Sequence, residues 1–194
     1  MNIEIISGSP RSNSITHRAV LYLKKHLSET TTHNINIIDV RDWKIDVLQQ
    51  EVFRTAETAP EPLRPLAGRM FEADAFILVT PEYNGSYTPA LKNLFDHFPK
   101  QSHKVFGIVT ASPGALGGMR AALQLQTLIY ALFGIGSPHM LVIPTVDKKF
   151  DENANLSDPF FQKNIDVFLT EFLWLAEHVA EKPGQLLVEN NSKS

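Results

Sequence analysis

The stretch Phe76-Ile77-Leu78-Val79-Thr80-Pro81-Glu82-Tyr83-Asn84-Gly85-Ser86-Tyr87-Thr88-Pro89 decides how this chain folds. Its first four residues are an unbroken apolar run, as in a strand buried on both faces of a parallel sheet. Pro81, Asn84, Gly85 and Ser86 cannot continue a central strand and predict a polar loop. Thr88 then suits a helix N-cap and Pro89 the first helical position. Leu91, Leu94, Phe95 and Phe98 follow at helical spacing until Pro99 ends the run. A buried strand therefore delivers a rigid polar loop at its C-terminal end, the edge at which open α/β sheets bind ligands.

The same alternation extends in both directions. Strands are expected at 3–7, 35–38, 76–79, 105–110 and 140–143. Helices are expected from about 15 to 29, near 62–72, from 89 to 98, over 119–133, and after Ser157 or Asp158 with Pro159 near the first position. The segment 41–59 reads as mostly irregular and 145–156 as a polar loop. Five βα alternations imply a parallel sheet with right-handed crossovers. The expected fold is α/β: a flavodoxin-like three-layer sandwich, five strands in the order 2-1-3-4-5 with helices on both faces. One domain is expected over 1–182, with a frayed tail over 183–194.

Composition narrows the function classes. The chain has 194 residues, 43% of them hydrophobic and 20% charged, with a net charge of −3. That suits an ordinary globular domain and offers no electrostatic case for nucleic acid or an anionic membrane. With no cysteine, thiolate nucleophiles, disulfides and cysteine-based metal sites are excluded. Seven histidines lie scattered without metal-binding spacing, so no metal is expected. No run is long and apolar enough to span a bilayer, and the chain opens on a strand, so a cytoplasmic protein is expected.

The turn Gly8-Ser9-Pro10-Arg11-Ser12-Asn13-Ser14 joins the first strand to a helix N-terminus, where free N–H groups and the helix dipole favour an anion. A dinucleotide pyrophosphate requires several glycines, and this turn has only Gly8. Hydroxyls of Ser9, Ser12 and Ser14 and the fork of Arg11 suit a terminal monophosphate instead. The same residues also describe an ordinary polar βα turn with a surface arginine. Asp39, at the end of the second strand, resembles a ribose-binding acid but lacks the glycine fingerprint.

From Ala121 to Val146 there is no Asp, Glu, Lys or Arg, where ordinary composition at 20% charged would place about five. The apolar fifth strand accounts for part of this gap. It does not account for the helix over 119–133, whose Leu123, Leu125, Leu128, Ile129, Tyr130, Leu132 and Phe133 surround the axis. A helix uncharged all round is normally buried, so a subunit interface is expected there.

Three segments together resemble the NADPH-dependent FMN reductase family of the flavodoxin-like superfamily, which includes azo, quinone and chromate reductases. They are Gly8-Ser9-Pro10-Arg11 with Ser14; Thr80-Pro81-Glu82-Tyr83-Asn84 running to Pro89-Ala90-Leu91-Lys92-Asn93 and Asp96; and Ser112, Gly114, Gly117-Gly118 and Arg120. Thr16 stands where the family usually has asparagine, and His97 where it has an aromatic residue. The resemblance implies an FMN-dependent NAD(P)H oxidoreductase passing hydride through FMN to a quinone, azo compound, free flavin or similar acceptor. It implies that Ser9, Arg11, Ser14, Ile15 and Thr16 hold the FMN phosphate. Pro81, Glu82, Tyr83 and Asn84 would flank the ribityl chain and one ring edge, and Ser112, Gly114, Gly117 and Gly118 the other edge. No catalytic acid or base is required, because the flavin carries the chemistry. NADPH or NADH would be the co-substrate, in a homodimer or homotetramer with flavin sites near a dimer interface. The alternatives are a flavodoxin-type electron carrier and a flavin-free interaction protein on the same fold. On the residues themselves, Glu82 reads as structural rather than as a general acid. Lys92 and Asn93 read as braces for the preceding loop. Tyr83 reads as a substrate stack or as a contact with a second subunit.

Overall fold

The computed structural model describes residues 1–49 and 52–181; the tail expected over 183–194 lies outside them. The elements are β1 (Asn2–Ser7), α1 (Thr16–Thr30), β2 (Asn34–Asp39), α2 (Arg64–Glu72), β3 (Ala75–Thr80) and α3 (Pro89–Asp96). They continue as β4 (Val105–Ala111), α4 (Met119–Ala131), β5 (Ile135–Ile143), α5 (Val146–Lys149) and α6 (Gln162–Glu181). The five strands form one parallel sheet in the order β2-β1-β3-β4-β5. All six residues of β3 and all seven of β4 are buried, as expected of strands covered on both faces.

Two apolar layers explain the sandwich. One packs Leu23 and Leu27 of α1 and Phe168 and Phe172 of α6 against Ile5, Ile77 and Val109. The other packs Leu66 and Met70 of α2, Leu94 and Phe95 of α3, and Leu125 and Ile129 of α4 against Ile6, Leu78 and Ile108. Successive residues of each strand face opposite layers, so a one-residue slip would turn every side chain to the wrong face.

The structure differs from expectation in four places. β5 begins at Ile135 rather than at 140. Between Phe106↔Gly136 and Ile108↔Met140 the register shifts, and this irregularity accommodates Pro138, which breaks the strand pattern in the sequence. A short helix, α5, lies within the expected polar loop over 145–156. The final helix begins at Gln162, after a 3₁₀ turn over Pro159–Phe161 whose Phe160 N–H donates to Asp158 Oδ1 at 3.0 Å. α4 ends at Ala131, and Phe133 has φ of +59°. Among the described residues no helix is long and apolar enough to cross a membrane.

Candidate cofactor site

Three turns meet at the C-terminal edge of neighbouring strands: 8–15 after β1, 81–88 after β3, and 112–118 after β4. The connection from β1 runs outward to β2 and that from β3 runs the other way to β4. The crevice between β1 and β3 is therefore the topological switch point.

The first turn is held from beneath. Gly8 N–H donates to Val79 O at 2.8 Å. A Cβ on Gly8 would lie 2.6 Å from Leu91 Cδ1 and 3.0 Å from Val79 O, so a side chain there would have to displace the buried Leu91. Ser9 is buried, whereas Arg11, Ser12 and Asn13 are exposed. α1 then begins with Ile15 at its N-cap, with no side-chain cap and no acid in its first turn. His17 and Arg18 N–H donate to Ser14 and Ile15 carbonyls at 3.2 and 3.1 Å, but the N–H groups of Ser14, Ile15 and Thr16 have no partner among the described residues. Uncompensated N–H groups at a positive helix end attract an anion. Thr16 is buried with Oγ1 3.5 Å from Ala111 O, so the residue that replaces the usual asparagine reaches towards β4.

The second turn is a tight hairpin. Tyr83 N–H donates to Ser86 O at 2.8 Å and Ser86 N–H to Tyr83 O at 3.0 Å. Asn84 and Gly85 both have positive φ, +50° and +84°, the primed turn that Asn-Gly favours. The N–H groups of Asn84 and Gly85 have no partner among the described residues. The Arg11 guanidinium carbon sits 5.0 Å from the Tyr83 ring centroid, so a cation–π contact joins the first turn to the second.

In the third turn, Gly114 N–H donates to Ser112 Oγ at 2.9 Å. Gly117 and Gly118 have φ of +60° and +88°. A Cβ on Gly118 would come within 3.0 Å of Thr110 Cβ and 3.7 Å of Glu82 Cβ. Thr110 Oγ1, beneath it, is buried without a hydrogen-bond partner. Glu82 Oε2 accepts from Arg120 N–H at 3.1 Å, and its Oε1 lies 3.6 Å from Arg120 Nε. Glu82 therefore caps the N-terminus of α4 from the second turn, the structural role its sequence context favoured.

Two expectations are corrected. Lys92 pairs with Asp96 on its own helix. Asn93 holds the segment before α2: its Nδ2 donates to Ile45 and Asp46 carbonyls at 3.2 and 3.1 Å, and its Oδ1 accepts from Leu48 N–H at 3.3 Å. Neither braces the 81–88 turn. His97 is buried, with Nδ1 2.8 Å from Asn93 O, and its carbonyl accepts from Phe53 N–H at 2.8 Å, so it also anchors that segment.

Sequence reasoning missed a polar cluster behind the first turn. Arg41 donates to both carboxylate oxygens of Asp39, through Nε at 2.9 Å and Nη2 at 2.6 Å. His17 Nδ1 lies 3.0 Å from Ser7 Oγ and 3.2 Å from Asp39 Oδ2. Burial opposes the charge on Asp39, but hydrogen bonds from Arg41 and Ser7 outweigh it and hold the carboxyl below its ordinary value. Burial, and then the Arg41 charge, push His17 below its ordinary value. Asp39 is thus occupied inside the protein and is not presented as a ribose-binding acid. The only sequence signal was Asp39 itself at a strand end.

The donor set can be tested against a flavin mononucleotide. An uncapped helix end, serine hydroxyls and an exposed arginine suit a terminal phosphate, and the single glycine of the first turn does not suit a pyrophosphate. Unpartnered N–H groups of the second turn and the orphaned Thr110 hydroxyl beneath the third suit a polar ring edge. The residues fit the group.

Comparison with known proteins gives the family and the fold. The NADPH-dependent FMN reductase family matches residues 1–148. An FMN-dependent NADPH-azoreductase from Staphylococcus saprophyticus subsp. saprophyticus is 28% identical over 173 residues, covering 87% of this chain and 92% of that protein. The flavoenzyme NAD(P)H:(acceptor) oxidoreductase FerB from Paracoccus denitrificans superposes with a TM-score of 0.72 at 20% identity, covering 93% of this chain and 97% of FerB. An oxidoreductase from Corynebacterium diphtheriae superposes with a TM-score of 0.67 at 17% identity, covering 93% and 97%. At these identities the two structures speak for the fold.

Proposed function

This chain belongs to the NADPH-dependent FMN reductase family, and on that premise we propose that it carries electrons from NADPH, through FMN held in the β1/β3 crevice, to a small-molecule acceptor such as a quinone, azo compound or free flavin. It is an oxidoreductase with FMN as cofactor and reduced nicotinamide as co-substrate. One observation carries the placement of the cofactor: the N-terminus of α1 has no side-chain cap and no acid in its first turn, at the topological switch point.

Bound FMN supplies reversible two-electron chemistry. The protein supplies binding, orientation and electrostatics. Ser9, Arg11 and Ser14, with the N–H groups of Ile15 and Thr16, hold the phosphate. Pro81, Glu82, Tyr83 and Asn84 flank one edge of the flavin, with Glu82 working by fixing the turn to α4. Ser112, Gly114, Gly117 and Gly118 would line the other edge; glycine is required at 117, where a Cβ would meet Val142 Cγ1 at 2.7 Å and Pro144 N at 2.8 Å, and at 118, where it would meet Thr110 Cβ at 3.0 Å. No residue here is assigned a proton-transfer role: Glu82, the carboxylate of the second turn, is engaged by Arg120. With FMN bound, donor and acceptor would use this one crevice in turn.

A flavin-fluorescence titration tests this reading. FMN binds more tightly than FAD, since the turn is built for a terminal phosphate, and Arg11→Ala weakens FMN binding by about one to two decades. Equal affinity for FMN and FAD overturns the placement. Double-reciprocal plots of NADPH against quinone are parallel; intersecting lines would require both substrates bound together.

The enzyme is a homodimer or larger, with α4 in the interface. Leu123 is 50% exposed on that helix and Tyr130 76%, and Phe133 beyond its end is 62% exposed. Leu123 and Tyr130 give α4 an uncharged outer face that a single chain leaves in water, while Lys100 Nζ lies 5.2 Å from the Phe133 ring centroid at its end. Light scattering checks it: a mass near the 21.7 kDa chain sinks the interface, and Leu123→Glu with Tyr130→Glu is expected to halve the mass of the wild-type particle.

A further inference from the structure

Arg41 stands outside the three turns, two residues beyond the edge strand β2, yet its side chain reaches the apex of the first turn. Its Nη1 lies 3.1 Å from Ser12 O and 3.5 Å from Arg11 O. The other face of the same guanidinium grips Asp39 through Nε and Nη2 at 2.9 and 2.6 Å. Asp39 is in turn fixed: it pairs in register with Ser7 across β1 and β2, is buried, and takes Arg41 N–H at 2.9 Å. A rigid strand end, a buried carboxylate and a planar fork thus connect in series to two backbone carbonyls of an otherwise exposed turn.

The consequence follows from peptide geometry. In a planar trans peptide the C=O and the next residue's N–H point in opposite directions. Drawing the carbonyls of Arg11 and Ser12 towards Arg41 therefore turns the N–H groups of Ser12 and Asn13 away from it. Neither N–H has a partner among the described residues. We propose that Arg41, anchored by Asp39, is a positioning residue that presets the β1–α1 turn for the phosphate monoester of FMN. This rests on the placement of the FMN phosphate at that turn and goes beyond it by assigning the preset to a residue on another strand. Arg41 acts by geometry rather than by charge, because Asp39 already neutralises it. Lysine cannot replace it: a single ammonium lacks the fork that satisfies the carboxylate and the carbonyls together.

The test compares FMN with riboflavin, which lacks the phosphate, in fluorescence titrations of the apoprotein, with thermal melting as a check on folding. Wild type prefers FMN; equal affinity for the two flavins in wild type would overturn the phosphate placement itself. Arg41→Gln is expected to weaken FMN about tenfold and to leave riboflavin unchanged, so the FMN:riboflavin ratio collapses. Arg41→Lys is expected to behave like Arg41→Gln and decides the matter if the glutamine variant does not fold. A wild-type ratio in a folded variant, or full recovery by lysine, would overturn the assignment. A merely structural role would lower the melting temperature and weaken both flavins alike.

Discussion

The turns after β1 and β3 have the same construction, a buried strand leading into a helix, and opposite ends. α3 is closed from within. Thr88 Oγ1 accepts from Leu91 N–H at 3.2 Å, its N–H donates to Thr80 Oγ1 at 3.3 Å, and its hydroxyl donates to Gly8 O. Pro89 at the first helical position removes one further orphan donor. α1 starts with Ile15, which has no side chain to offer its N–H groups. One helix end is stabilised by its own sequence, and the other leaves its donors unpartnered among the described residues. The difference teaches that a missing cap is informative when a neighbouring helix in the same sheet has a complete one. The two turns are also coupled: the cap of the closed helix reaches across to the carbonyl of Gly8, so closing α3 steadies the base of the open turn.

Putting a cap on the open end breaks the comparison most strongly. Ser14→Asp would place a carboxylate at the start of α1. The apoprotein should gain about 0.5–1 kcal/mol, while FMN affinity should fall about a hundredfold through a lost donor and like-charge repulsion. Thermal melting of the apoprotein and flavin titration measure the two sides. A stabilised protein with unchanged FMN affinity would show that the open end is not the ligand's. Opening the closed end is the converse. Thr88→Val should cost about 1–2 kcal/mol in urea unfolding, since Leu91 N–H loses its acceptor; a cost near zero would mean that the cap contributes nothing.

The smallest effect sharpens the comparison through pH. The cap of α3 contains no titrating group, whereas the backing of the first turn contains His17. Its folded-state value lies below the ordinary 6.5, so the fold keeps it neutral while the unfolded chain takes up a proton first. Below about pH 6.5 the unfolded state then binds more protons, and apoprotein stability falls as pH drops towards the folded-state value. His17→Gln should flatten this part of the profile. An unchanged slope would assign the loss to other groups.

Much of the architecture was legible because it follows from local patterns. The apolar run of β3, Thr88 followed by Pro89, and the helical spacing of Leu91, Leu94 and Phe95 each point to the element that formed. The parallel sheet followed from alternation and crossover handedness, and five strands fitted the flavodoxin-like order 2-1-3-4-5 that formed. β5 was half-legible: Gly136 and Pro138 interrupt its pattern, and only pairing with β4 shows that the strand passes through them. Asn93 was assigned to the wrong loop, because the sequence shows which helix a side chain leaves but not which segment packs over it; Lys92 was assigned to a loop although its partner, Asp96, lies one turn along its own helix.

The sequence by itself determined that this chain is a parallel α/β protein and that its polar turns lie at one sheet edge; for the first of them it offered a phosphate site beside an ordinary polar turn. These properties depend on neighbours within a few residues, where backbone geometry and side-chain type suffice. Only the tertiary structure decided that Arg41 reaches from beyond β2 to Ser12, that Arg11 lies over Tyr83, and that Thr88 ties α3 to Gly8. Those contacts join residues separated by 29, 72 and 80 positions. They exist because the crossovers bring β2, β1 and β3 side by side, and no local pattern in the chain records which side chains then meet.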